Sequence, residues 1–238
     1  MKFARIGEVG NEIPVLVTEG SYLDLRSLTT DLDGAFFAGN GIARARSALH
    51  DGVLPELTLP EEFRFGAPIT RPQAVICIGM NYAAHAAESG ATPPQQPVVF
   101  LKLPNTVVGP DDIASIPRNG AKTDWEVELG VVISRRVSYL DSVSDSGDCI
   151  AGLVAGNDLS ERSFQLEVSG GQWSKGKCAA GFTPVGPWLV TPDEVNHGRL
   201  RLRSWVNDEI RQDSMTNDMI FNVGVGIAIF AALPTLVA

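Results

Sequence analysis

A chain of 238 residues with 44% hydrophobic and 20% charged residues is long enough to bury a real core and too apolar for disorder. A net charge of −9 and a pI near 4.8 leave no basic face for nucleic acid or an anionic membrane surface. Cys77, Cys149 and Cys178 form no CxxC pair, so neither a disulfide framework nor a zinc site is expected.

The N-terminal MKFARIGEVG has no apolar signal core, which points to a cytoplasmic protein. KFARIG and IPVLVTEG read as short strands joined by a turn at Gly10-Asn11, and Ser21 to Leu25 continues the pattern. Gly41 to Asp51 reads as a helix stopped near Gly52. Prolines 55, 60, 68 and 72 then mark a connection, so a small α/β unit is expected over 1–65 and a larger one over 70–238. AVICIG suits a buried strand, and Asn81 is placed to cap a helix over YAAHAAES that Gly90 ends. VVFLK, WEVELGVVIS, CIAGLVAGND and PVGPWLV read as further strands, with a glycine loop at Gly170-Gly171. LRLRSWVNDEIRQD reads as a hairpin turning at Asn207-Asp208. Many short strands and few helices predict a β-rich α+β fold and argue against a doubly wound sheet. From Met219 to Ala238 no charged residue occurs, a length that could span a bilayer. Asn222, Gly224, Gly226, Pro234, Thr235 and the lack of basic flanks favour a buried helix or strand there instead.

Four groups of residues could carry chemistry. In TDWEVELG, strand alternation would put Asp124, Glu126 and Glu128 on one face, a donor set that hard divalent cations favour. Chance alone yields about three acidic i,i+2 pairs in such a chain, and three are present, so spacing does not decide the matter. The run into apolar LGVVI adds weight, because buried acids need a partner. In NYAAHAAESG, His85 and Glu88 are neighbours on a helix, a pairing used for general-base work or an incidental exposed pair. Asp158 in AGNDLSER is a turn residue or a third ligand, with Arg162 and Gln165 following to grip a carboxylate or carbonyl. In QWSKGKCAAGF, Lys175 and Lys177 share a parity, so extended backbone would point both toward one side. GxGxxG, GxxxxGK[ST] and GxSxG are absent, against the common nucleotide folds and the serine-hydrolase elbow.

Taken in order, IGMNYAAHAAESG, PVVFLKLPNTVVGP, KTDWEVELGVVI, AGNDLSERSFQ, GQWSKGKCAAGFTPVGPWLVT and VNDEIRQDSMTNDMIF resemble the fumarylacetoacetate hydrolase family over about residues 70 to 221. The resemblance implies a small N-terminal domain, a β-rich sandwich or roll catalytic domain and a homodimer. It implies Mg²⁺ or Mn²⁺ (Ca²⁺ in some members) held by Glu126, Glu128 and Asp158, leaving Asp124 out. It implies a His85–Glu88 dyad that activates water and Lys177 as the active-site lysine. Arg162, Gln165, Lys102 and Tyr82 then fall to the substrate. The implied reaction is hydrolysis of a C–C bond in a small 1,3-dicarbonyl acid, an acylpyruvate or fumarylpyruvate, through a metal-stabilised enolate. Isomerisation or decarboxylation of related acids in aromatic catabolism uses the same kind of site. After Phe221 the likeness fades and no TGTP loop appears, so a C-terminally short member, even a catalytically impaired binding protein, is a second expectation.

Overall fold

The structure, a computed structural model, describes residues 1–88, 90 and 92–232, apart from the side chains of His85 and Ala86. The N-terminal strands are β1 (Lys2–Ile6), β2 (Ile13–Thr18), β3 (Ser21–Asp24) and the short β4 (Phe65–Gly66). Helices α1 (Gly34–Ala38) and α2 (Gly41–His50) lie between β3 and β4. A hairpin of β5 (Val75–Gly79) and β6 (Val98–Lys102) follows, with α3 (Ala83–Glu88) in its connection. The chain continues through β7 (Val107–Val108), β8 (Thr123–Asp124), β9 (Val127–Ile133), β10 (Ile150–Asn157) and β11 (Ser160–Glu161). It then forms α4 (Ser174–Lys177), β12 (Thr183–Pro184), β13 (Leu189–Val190), the hairpin β14 (Arg201–Val206) and β15 (Glu209–Met215), and α5 (Val223–Ala232).

The main sheet has the order β3-β2-β1-β13-β10-β9, with β4 paired to β1. The small N-terminal strands and the strands that carry the acidic motif therefore share one sheet. They also share a core: Phe3, Leu16, Leu25, Leu32 and Phe36 pack with Ala151, Val154, Val185 and Leu189. KFARI and IPVLVT are buried on both faces: Phe3 and Leu16 enter this core, while Ala4, Ile6 and Val15 pack in a separate cluster on the other side. A second cluster seats α5 through Ile227 and Ala231 against Val137, Cys149 and Ile150. The uncharged tail forms a ten-residue helix as far as it is described, and no described helix is long and apolar enough to cross a membrane. Residues 233 to 238 lie outside the described part.

Several local expectations hold. The β14–β15 turn has Asn207 and Asp208 at positive φ, as a two-residue turn of primed type requires. Helix α2 ends at His50, with Gly52 at φ +65 just beyond. Others change. Asn81 does not cap α3: its carboxamide pairs with both backbone groups of Phe221, like a strand residue, and the Asp218 carboxylate takes the Ala84 N–H instead. Helix α1 was not expected. Asp33 starts it by accepting the Phe36 N–H at 2.8 Å, and burial of Phe36 and Phe37 holds it. PVGPWLV is not one strand but the two short pieces β12 and β13, because Pro184 and Pro187 have no N–H for a continuous ladder.

Candidate active site

A cavity of about 1270 Å³ opens between the β5–β6 hairpin, β9 and the end of β10. Among its lining residues are Tyr82, Glu88, Lys102, Glu126, Glu128, Asp158, Arg162, Gln165 and Lys177. The site is built where the main sheet runs out. The β9–β10 ladder pairs Glu128 with Gly156 and Val127 with Asn157. Beyond it, Asn157 turns its side chain to accept the Glu126 N–H, and the Asp158 N–H reaches the Glu126 carbonyl at 2.8 Å. This fixes two acids from distant segments side by side. It also corrects the unbroken strand expected through TDWEVELG: β8 and β9 are separated at Trp125 and Glu126, so simple alternation does not set the faces. Asp124 instead pairs in β8–β11 and accepts from Arg162.

Cations fill the space between the acids. The Lys177 ammonium donates to Glu126 Oε2, Asp158 Oδ2 and Ser160 Oγ, each at 2.7 Å. Lys102, 2% exposed, donates to Asp158 Oδ1 at 2.5 Å and to the carbonyls of Phe182 and Leu159. Its three N–H bonds are thus used within the protein. Arg162 donates to Glu126 Oε1 at 2.6 Å, to Asp124 and to Gln165. The two lysines of GQWSKGKC do not point one way, because Ser174–Lys177 is a helical turn and not extended. Lys175 donates to the Ser169 carbonyl, while Lys177 enters the site. Trp173 and Phe100 wall the cavity, their ring centroids 5.7 Å apart, and the Lys177 ammonium lies 4.8 Å from the Phe100 centroid. Gly79 is required beneath them, since a Cβ there would come within 2.4 Å of the Trp173 ring.

The electrostatics are uneven. Burial works to raise the Asp158 carboxyl, and the charges of Lys102 and Lys177 outweigh it and hold Asp158 below the usual range. Burial lowers Lys102 against the opposing pull of Asp158. Glu128 forms no ion pair among the described residues. Desolvation first, and then the charges of Glu126 and Asp158, push it up to about 8. Burial also raises the Cys77 thiol to about 12, so it is no nucleophile. The Tyr82 hydroxyl is buried without a hydrogen-bond partner among the described residues. Glu88 is exposed on α3. The His85 side chain lies outside the described residues, so the dyad is not described here.

Among the described residues no three His, Cys, Asp or Glu side chains stand at ligating geometry; Glu126 and Asp158 share the Lys177 ammonium instead. The donor set nevertheless suits a hard divalent cation. Three carboxylates meet in one cavity, and the pressure on Glu128 to hold a proton is what a cation would relieve. Two participants were not foreseen from sequence. Ser160 receives a Lys177 bond, and Glu161 is wholly buried, bonded to Lys122, Thr123 and Ser163. Their only signal was a run of polar residues directly after an apolar strand.

Comparison with known proteins places this geometry. The family model for the fumarylacetoacetate (FAA) hydrolase C-terminal domain matches residues 74–238, so the match continues through the tail beyond Phe221. A protein of Burkholderia lata named as a hydrolase is 42% identical over 238 residues, covering 99% of this chain and 83% of the relative. A fumarylacetoacetate hydrolase from Exiguobacterium antarcticum superposes with a TM-score of 0.83 at 28% identity, covering 100% of this chain and 83% of the other. A 2-hydroxyhepta-2,4-diene-1,7-dioate isomerase from Mycobacterium marinum gives 0.75 at 28% identity, with coverage of 100% and 83%. Maleylpyruvate hydrolase from Sphingobium sp. SYK-6, in complex with manganese and pyruvate, gives 0.80 at 25% identity, with coverage of 100% and 85%. The chain belongs to the fumarylacetoacetate hydrolase family.

Proposed function

We propose that the protein hydrolyses a C–C bond in a small 1,3-dicarbonyl acid of the acylpyruvate, fumarylpyruvate or maleylpyruvate class. The observation that carries this reading is the meeting of Glu126, Glu128 and Asp158 with Lys102, Lys177 and Arg162 in one cavity. The three carboxylates would hold Mg²⁺ or Mn²⁺, which would supply Lewis-acid polarisation of the substrate's carbonyl oxygens. The manganese of the Sphingobium relative supports the choice of cation class.

The residues of the chain divide the remaining work. Arg162, backed by Gln165, grips the acid end of the substrate, where a planar guanidinium suits a carboxylate. Tyr82 offers its unpartnered hydroxyl to a substrate oxygen. His85, oriented by Glu88, takes a proton from water as the water adds to the far carbonyl. The C–C bond then breaks, and its electron pair passes to the pyruvyl side as an enolate. Lys177 stabilises that negative charge. Lys102, expected from the family resemblance to contact the substrate, spends its three N–H bonds within the protein and acts on the substrate by holding Asp158 in place. The small N-terminal unit over 1–65 and the β-rich catalytic unit over 70–238 act together, in a cytoplasmic homodimer. Exposed Val99 and Leu101 on β6, with Leu103 just beyond it, support a subunit contact there.

Isomerisation of a 2-hydroxy-dienedioate, in the catabolism of aromatic compounds, is the second reading. The structural likeness to the Mycobacterium isomerase supports it to the same degree of identity. An assay with maleylpyruvate, an acylpyruvate and 2-hydroxyhepta-2,4-diene-1,7-dioate, with and without Mn²⁺, separates the two. Pyruvate release that needs the cation supports hydrolysis, and isomer formation without pyruvate supports the second reading. Silence on every substrate contradicts both and leaves an impaired, binding-only member.

A further inference from the structure

Glu161 is a carboxylate that the proposed chemistry does not use. It is 0% exposed and forms no ion pair among the described residues. Its oxygens accept instead from the Lys122 N–H (3.0 and 3.1 Å), the Thr123 hydroxyl (2.8 Å), and the Ser163 hydroxyl and N–H (2.5 and 3.3 Å). Two backbone N–H groups and two hydroxyls converge on it, and an ionised acid accepts from all of them at once. Gly120 leaves room for it: a Cβ at 120 would lie 2.9 Å from Glu161 Oε2.

Thr123 lies on β8 and Glu161 on β11, Lys122 just precedes β8, and Ser163 and the site's Arg162 just follow β11. Thr123 pairs with Glu161 and Asp124 with Ser160, and the Arg162 N–H reaches the Lys122 carbonyl at 3.0 Å. Asp124, next to Thr123 on β8, accepts from Arg162 Nε, just past the end of β11, at 2.9 Å. We propose that Glu161 is a positioning residue whose buried anion clamps β8 to β11 and so aims the Arg162 guanidinium into the cavity. The proposal rests on the reading of Arg162 as the grip for the substrate's acid group, but its geometric half can be tested apart from it.

The test uses the full chain as wild type, Glu161→Gln, Arg162→Ala and the double variant. The first readout is the Arg162 Nε–H resonance in the protein alone. A sharp, slowly exchanging signal in wild type should broaden or vanish in Glu161→Gln while the thermal transition stays cooperative. An unchanged signal in a folded variant overturns the proposal. The second readout is pyruvate affinity with Mn²⁺ present. Glu161→Gln should weaken binding about tenfold, with Mn²⁺ affinity held within roughly threefold, and should cost less than about threefold in the Arg162→Ala background. Full additivity in the double variant also overturns it. Wild type that fails to bind pyruvate while its Arg162 signal still depends on Glu161 refutes the grip, not the clamp. If Glu161→Gln does not fold, Thr123→Val and Ser163→Ala each remove one donor. Both should broaden the Arg162 signal partially, and no change in either contradicts the clamp.

Discussion

Arg162 and Lys177 have different jobs despite sharing Glu126, and single substitutions should separate them. Arg162 is held by Asp124, Glu126 and Gln165 in a plane that a lysine cannot reproduce. Arg162→Lys should therefore raise KM by about tenfold, the worth of one charge-assisted bond, with kcat less affected. Steady-state kinetics on the best substrate checks this. Lys177, 1% exposed, is the cation that two carboxylates share. Lys177→Met should abolish most turnover. It should also lower the stability of the metal-free protein by about 3–5 kcal/mol, because Glu126 and Asp158 lose their shared partner. Added Mn²⁺ should restore part of that loss, measurable as a rise in melting temperature. An unchanged melting temperature in the metal-free variant would show that the ion pairs contribute nothing to stability.

At the scale of elements, buried charge knits the N-terminal unit together, and the Arg64–Asp112 ion pair ties it to the rest of the chain beside the sheet. Arg5 on β1 donates to Asp31, to Glu12 and to the Ala67 carbonyl, and Arg64 bridges Glu12 to Asp112. Arg5→Ala leaves Glu12 and Asp31 without that partner and should cost about 3–5 kcal/mol in chemical denaturation. A cost below 1 kcal/mol would show that water replaces the guanidinium. Apolar runs and turn residues made the regular parts of this layer legible: β1, β2, β5, β6 and the β14–β15 hairpin follow from them. They failed where tertiary bonds override local pattern. Asn81 looked like a cap and is consumed by Phe221, and Trp125–Glu126 break a run that reads as one strand. The acids, lysine and arginine of the cavity were legible as types. That Lys177 and not Lys175 turns inward was not legible from spacing, because α4 is a single turn set by packing; the family resemblance alone singled out Lys177. Glu161 was illegible for a related reason, since two of its three partner residues, Lys122 and Thr123, lie 39 and 38 residues away in sequence.

The whole molecule should be acid-sensitive in a specific window. Desolvation opposes it, but hydrogen bonds from Ser163, Thr123 and Lys122 hold Glu161 down to about 2 from 4.5. Hydrogen bonds from Thr191 and Arg46 hold Asp193 down to about 2 from 3.8. A carboxyl with a depressed pKa in the folded state favours folding above its unfolded pKa. That contribution is lost as pH falls through the folded value. These two carboxyls should thus make stability decline steadily as pH falls from about 4.5 toward 2, while Glu128, raised to about 8, should lower the stability of the metal-free protein as pH rises from about 4.5 to 8. Urea titrations across this range should show the decline flattened in Glu161→Gln; an identical slope in the variant would contradict the assignment. The central claim, however, is that Glu126, Glu128 and Asp158 form a divalent cation site within a keto-acid cavity. Calorimetric titration of Mn²⁺ into wild type and Glu128→Gln tests it most directly. One ion per chain in wild type, with affinity at least about a hundredfold weaker in the variant, is the predicted result. No binding by wild type, or equal binding by both proteins, would contradict it.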